Sequence, residues 1–407
     1  MMKKIDGGVT AAQGFQASGI YAGIKKKRKD MALVYSVVPA KGAGTFTTNM
    51  VKAAPVKWDM KLTKDSDFIQ AVVLNSGVAN ACTGSEGDTN NYRMAKAVAD
   101  SLQICVESVY TASTGVIGKQ LPIEIIEAGA KPLAEELSDN LEAGTIAAES
   151  IMTTDTYSKE SAYSFHADGK EIKIGGMAKG SGMIHPNMAT MLGVVTTDLA
   201  ITKELLQEAL SENVKHTFNM ISVDRDTSTN DSLLILANGL AGNQEITKKN
   251  EDYENFCKAL NMVTTDLAKK MAADGEGATK LLEVSVVGAA CEEEAIIVSK
   301  SIITSNLVKT AVFGNDANWG RILCAMGYSG VTFDPDLVDL YIESRDGRLK
   351  LVENGMATDY SEEVATKILS AKEVTAIADM KAGSASATAW GCDLSYDYVK
   401  INADYRS

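Results

Sequence analysis

The stretch Lys179-Gly180-Ser181-Gly182-Met183-Ile184-His185-Pro186-Asn187-Met188-Ala189-Thr190-Met191-Leu192 decides how the rest of the chain is read. Gly180 and Gly182 can take positive φ and let another backbone come close. Pro186 fixes its own φ and pushes His185 towards an extended conformation. After Ala189, Thr190 opens the apolar run Met191-Leu192-Gly193-Val194-Val195, a candidate buried strand. A bent, uncharged loop therefore enters a core strand with a hydroxyl at the junction, an arrangement able to hold a peptide bond under strain. The plainer reading is a Gly-rich turn before a strand, with Thr190 only a β-former. Two nucleotide-binding readings fail. No Gly-Lys-Ser/Thr occurs, as a phosphate-binding loop requires, and His185 stands where the dinucleotide fingerprint needs its third glycine.

The run from Gly182 to Leu192 resembles the self-cleavage segment of the ornithine acetyltransferase family, the glutamate N-acetyltransferases of arginine biosynthesis. The resemblance implies a cut between Ala189 and Thr190, after which Thr190 is the nucleophile. Further blocks along the whole chain are similar to the same family. Asn75-Ser76-Gly77-Val78-Ala79-Asn80-Ala81-Cys82-Thr83-Gly84 matches a family loop except at Val78, where the family has Asn. Thr114-Gly115 matches the pair that stabilises the oxyanion of the cleavage intermediate. A glycine there lets a backbone N–H face the reacting carbonyl and a threonine adds a hydroxyl donor, each such donor lowering a barrier by roughly 2.7–4 kcal/mol. Within Thr153-Thr154-Asp155-Thr156 the resemblance implies a substrate contact at Thr153, with Thr154 the neighbouring candidate. In Asp274-Gly275-Glu276-Gly277 it points to Glu276, and at the end of the chain to Asn402 and Ser407. Lys179 is assigned to a substrate carboxylate and Glu276 to an amine, because the implied substrates are zwitterions.

Composition limits the alternatives. The chain has 407 residues, enough for two ordinary domains or one large α/β unit. With 40 Lys and Arg against 53 Asp and Glu the net charge is −13, which argues against a nucleic-acid partner. The basic run Lys25-Lys26-Lys27-Arg28-Lys29 stands alone and reads as a solvated hairpin tip. Six scattered cysteines without a Cys-x-x-Cys pair and three separated histidines suggest neither a disulfide scaffold nor a metal site. Cys82 reads as a small buried thiol rather than a nucleophile. No apolar N-terminal run or membrane span is readable, so the expected compartment is the cytoplasm.

Strands are expected at Val34–Pro39, Ile69–Leu74, the segment ending in Thr114, Leu282–Val287 and Val308–Phe313, and in an aromatic-rich terminal segment running to Ser407. Helices are expected over 122–150, after a cap at Asp88–Thr89, from Thr202, over 249–272, where Tyr253, Phe256, Leu260, Val263, Leu267 and Met271 share a stripe, and near 292–305. In Asn315-Asp316-Ala317-Asn318-Trp319-Gly320-Arg321, another family match, Asn and Asp suit a turn or helix cap.

The chemistry fits an N-terminal nucleophile. A threonine hydroxyl needs a base within reach, and an α-amine, with an unperturbed pKa of about 7.7–8.0, can be that base only once the preceding bond is cut. The resemblance implies a layered α-β-β-α sandwich of the N-terminal-nucleophile type. Residues 1–189 and 190–407 would be one interlocked fold of two chains, paired into a heterotetramer. It implies ping-pong acetyl transfer from N-acetylornithine to glutamate through acetyl-Thr190, with no cofactor and with acetyl-CoA open as a co-substrate. The rival classes are an N-terminal-nucleophile aminopeptidase or amidohydrolase, and a non-catalytic amino-acid-binding relative.

Overall fold

The computed structural model describes residues 2–185 and 191–404; Ala189, Thr190 and Ser407 lie outside the described residues. The apolar run after Thr190 forms the strand Leu192–Thr197, buried at every position. It sits in the middle of a nine-stranded sheet, antiparallel to Lys170–Lys179 on one side and parallel to Ser232–Ala237 on the other. Ser232–Ala237 in turn pairs antiparallel with the long strand Met31–Phe46, followed by Ile69–Val78 and Val109–Val116. Segments from both sides of 186–190 thus alternate within a single hydrogen-bonded sheet.

A seven-stranded sheet, built around Leu281–Ala289 between Glu373–Asp379 and Ala385–Cys392, is made entirely from the second half of the chain. The helix Glu251–Ala273 joins the two sheets. Its stripe from Tyr253 to Met271 is buried, and it packs on Lys159–Ala167 and Lys170–Lys179 as well as on Ala385–Cys392. One continuous apolar core therefore runs from Phe165, Ile174 and Val195 to Val284, Val286 and Ile302. Helices Ala54–Asp65, Gly84–Leu102, Ile123–Glu135 and Leu141–Ser150 cover the first sheet elsewhere, and Glu292–Ile303 backs the second. This is the layered α/β architecture expected. No single helix among the described residues is long and apolar enough to cross a membrane.

Several local expectations give way. Val308–Phe313 belongs to a helix, Asn306–Phe313, capped by Ser305; Val308, Lys309, Ala311 and Val312 are buried, a helical spacing that the β-branched composition concealed. The terminal segment is not one strand. Its strand ends at Cys392 and a helix, Tyr396–Ala403, follows, capped by Ser395. Asp88 and Thr89 lie inside the helix that begins at Gly84, and 122–150 holds two helices. Cys82 is exposed, in a loop where it takes φ of +57°. Lys25 is not a solvated tip: its Nζ donates to the Met152 carbonyl at 3.0 Å, and burial, partly offset by Asp30, lowers its pKa to about 8.

Candidate active site

A cavity of about 380 Å³ opens where the first sheet meets the loops of the second half. It is lined by Thr114, Gly115, Thr153, Thr154, Lys179, Glu276 and Asn402, so six of the residues singled out from sequence converge with the neighbouring candidate Thr154. Ile184 and Met191 also line it, so the chain reaches the cavity on both sides of 186–190.

Lys179 ends its strand, and its ammonium donates to the Thr153 hydroxyl at 2.9 Å and the Thr114 hydroxyl at 3.2 Å. Burial lowers its pKa, while the nearby Asp155 carboxylate opposes that shift. A hydroxyl that accepts from an ammonium keeps its own hydrogen for another acceptor. Thr114 is therefore set up as a donor into the cavity.

The crossing at Gly115 admits no side chain. Its φ is +131°, and a Cβ there would lie 2.3 Å from the Gly77 carbonyl carbon and 2.7 Å from the Val78 nitrogen. Asn230, which also lines the cavity, ties the strand of Gly115 to the residue that follows the neighbouring strand. Asn230 Nδ2 donates to the Ala79 and Ser113 carbonyls at 2.5 and 2.8 Å, and Ser113 Oγ donates to Asn75 Oδ1 at 2.6 Å. Val78, where the family has Asn, is a buried side chain whose carbonyl accepts from Asn75 Nδ2 at 2.9 Å.

Glu276 lies across from Lys179. Its backbone N–H donates to the Ser181 carbonyl at 3.0 Å and its carboxylate accepts from Asn402 Nδ2 at 2.7 Å. The carboxylate rests over Gly182, where a Cβ would come within 2.4 Å of it. The site thus offers a cation framed by hydroxyls and, opposite, an anion framed by an amide, a pattern suited to a small zwitterion. His185 shares the loop with these residues. Its Nδ1 is 3.1 Å from the Ser222 hydroxyl, and burial, with Lys300 and Arg225 nearby, lowers its pKa to about 4, so the ring is neutral.

Sequence reasoning passed over Asn230 and Asp231, which line the cavity ahead of the strand Ser232–Ala237. The available signal was the polar run Ser228-Thr229-Asn230-Asp231 leading straight into the strand Ser232–Ala237.

The ArgJ family model matches residues 16–407. The chain belongs to the ArgJ family. Arginine biosynthesis bifunctional protein ArgJ of Caldanaerobacter subterraneus subsp. tengcongensis is 52% identical over the full length of both chains. The protein of the same name from Thermotoga neapolitana is 51% identical over 97% of this chain and 99% of its own. A crystal structure of arginine biosynthesis bifunctional protein ArgJ from Bacillus halodurans is similar with a TM-score of 0.50 and 49% identity. The match takes in 98% of that crystallised chain but 52% of this one.

Proposed function

We propose that this protein is a glutamate N-acetyltransferase of arginine biosynthesis that cuts itself between Ala189 and Thr190. It then moves an acetyl group from N-acetylornithine to glutamate through acetyl-Thr190. The observation that carries this reading is the cavity itself: a buried ammonium at Lys179 and a carboxylate at Glu276 face it, and the described chain on each side of 186–190 lines it. The names of the full-length relatives support the pathway. A solved relative whose whole chain corresponds to about half of this one supports a processed product, since its curated relatives span the full length.

In this reading the Thr190 hydroxyl attacks the Ala189 carbonyl, with Thr114 and Gly115 donating to the oxyanion. The amide becomes an ester as the Thr190 amine is released, and water hydrolyses that ester to free the Thr190 hydroxyl and the Ala189 carboxylate. That amine then serves as base. In turnover Lys179 and Thr153 take a substrate carboxylate and Glu276 with Asn402 an amine; Ser407 completes the pocket. Thr190 is acetylated as ornithine leaves, and glutamate collects the group. Acetyl-CoA is a second donor for the bifunctional member we propose this to be. The two products of cleavage remain in one sheet and pair as a heterotetramer in the cytoplasm.

Mass spectrometry of purified protein should give two chains, the second starting Thr190-Met191-Leu192. Thr190→Ala should give one intact chain without acetyl transfer, and Thr190→Ser should still cleave. An uncleaved wild type that transfers acetyl groups would refute the mechanism. Hydrolysis of amide peptides without transfer to glutamate would favour the peptidase reading, and ligand binding with neither activity the binding protein.

A further inference from the structure

Thr153, Lys179 and Glu276 come from three separate segments, and one buried ion cluster lies behind all three. Lys159 is fully buried, with its Nζ 2.7 Å from Asp155 Oδ1 and 2.6 Å from Asp274 Oδ2. Asp155 also accepts the Gly180 N–H at 2.8 Å and the Thr153 N–H at 3.1 Å. Asp274 accepts the Thr156 N–H at 3.0 Å, and its backbone carbonyl accepts the Ser181 hydroxyl at 2.6 Å. Two carboxylates against one ammonium leave this cluster an excess negative charge, and a buried charge persists only when it is balanced.

Lys179 supplies the balance from a distance. Among the described residues its hydrogen-bond partners are the neutral hydroxyls of Thr114 and Thr153, and no ion pair joins it to Asp155. Among the charges that face it, Asp155 is the strongest support for its cation, Asp231 and Glu276 add to that, and Lys159 and Lys25 oppose it. Reciprocally, burial works against the Asp155 charge but Lys179 and Lys159 hold its carboxyl at about 2.

We infer that Asp155 is a positioning residue for this site: it anchors the backbone of Gly180 and Thr153 and keeps the Lys179 ammonium charged without pairing with it. Two Nζ hydrogens go to the threonine hydroxyls, and the third thereby stays available to an incoming carboxylate. A direct ion pair would satisfy the charge equally well but would compete with the ligand for the same donors. Lys159 sets the balance, because it neutralises part of the Asp155 field and shares itself with Asp274, two residues before Glu276.

The ligand carboxylate in this scheme rests on the acetyltransferase reading, but the ionisation of Lys179 does not. The test follows that ionisation directly, by NMR titration of intact protein isotope-labelled at lysine Cε, with the Lys179 signal assigned from its loss in Lys179→Arg. Asp155→Asn should lower the Lys179 pKa by about one unit or more, and Lys159→Gln should raise it. In the acetyl-transfer assay, the alkaline limb of kcat/KM should move in the same two directions. A folded Asp155→Asn with an unmoved Lys179, or a Lys159→Gln without an upward shift, overturns the inference. If Asp155→Asn does not fold, Lys159→Gln alone decides it. Opposite shifts in a protein with no acetyltransferase activity would uphold the inference and refute the function.

Discussion

Gly182→Ala is a one-carbon test of whether Glu276 works from where it stands. Gly182 does not take a left-handed φ, so its backbone accepts alanine. The new Cβ, however, would lie 2.4 Å from both Cδ and Oε2 of Glu276 and 2.5 Å from Oε1, where ordinary contact begins at 3.4 Å. The group that must yield is the end of a flexible side chain, so the carboxylate retreats by about 1 Å rather than the backbone moving. A shift of that size is enough to break the 2.7 Å bond from Asn402 and to carry the charge away from a substrate amine. Losing one hydrogen bond to a charged partner costs roughly 1.5–3 kcal/mol. At 1.4 kcal/mol per factor of ten, that is a rise of about 10- to 100-fold in KM or ligand Kd. Steady-state kinetics and calorimetric binding of ornithine would measure it, while the thermal unfolding midpoint should stay near that of the wild type. Glu276→Ala should be impaired to a similar degree, and adding Gly182→Ala to it should change little, because the displaced group is already gone. A Gly182→Ala effect that persists undiminished in the Glu276→Ala background would refute the reasoning.

At Gly115 the same substitution should behave differently, because its Cβ would meet the Gly77 and Val78 backbone at positive φ and no side chain can move aside. Gly115→Ala should destabilise the protein by at least about 1–3 kcal/mol, read as a lowered Tm together with lost activity, and an unchanged Tm would show that the strand crossing relaxes. Asp59 is completely buried; among the described residues it accepts only from Thr111, through Oδ1, and Oδ2 has no hydrogen-bond partner, so burial raises its pKa well above 3.8. A carboxyl whose folded pKa is raised gives its full stabilisation below the unfolded pKa and loses it as pH rises through the folded one. Chemical denaturation should therefore show wild type losing stability relative to Asp59→Asn as pH increases above about 4, and a difference that does not change with pH would disprove the assignment.

Much of the local structure follows from the sequence alone, since a helix or strand declares itself through the spacing of its own buried residues. Thr202 caps the helix Lys203–His216 by accepting the Leu205 N–H, and the stripe from Tyr253 to Met271 is the buried face of its helix. The runs Ile69–Leu74 and Leu282–Val287 lie within strands. Where composition and spacing conflict, the sequence misleads: the β-branched run at 308–313 is helical because packing buries it at helical intervals, and the polar segment after Cys392 folds into a helix that carries Asn402 to Glu276. The candidate site residues were readable as separate motifs, but nothing local brings them together. Only the folded chain places Lys159 against Asp274, 115 residues away, or leaves Lys179 facing Thr114 and Thr153 rather than an ion partner among the described residues. The physical reason is one of range. Apolar periodicity is written within a few turns of one element, whereas the balance of a buried charge depends on every segment that packing brings around it.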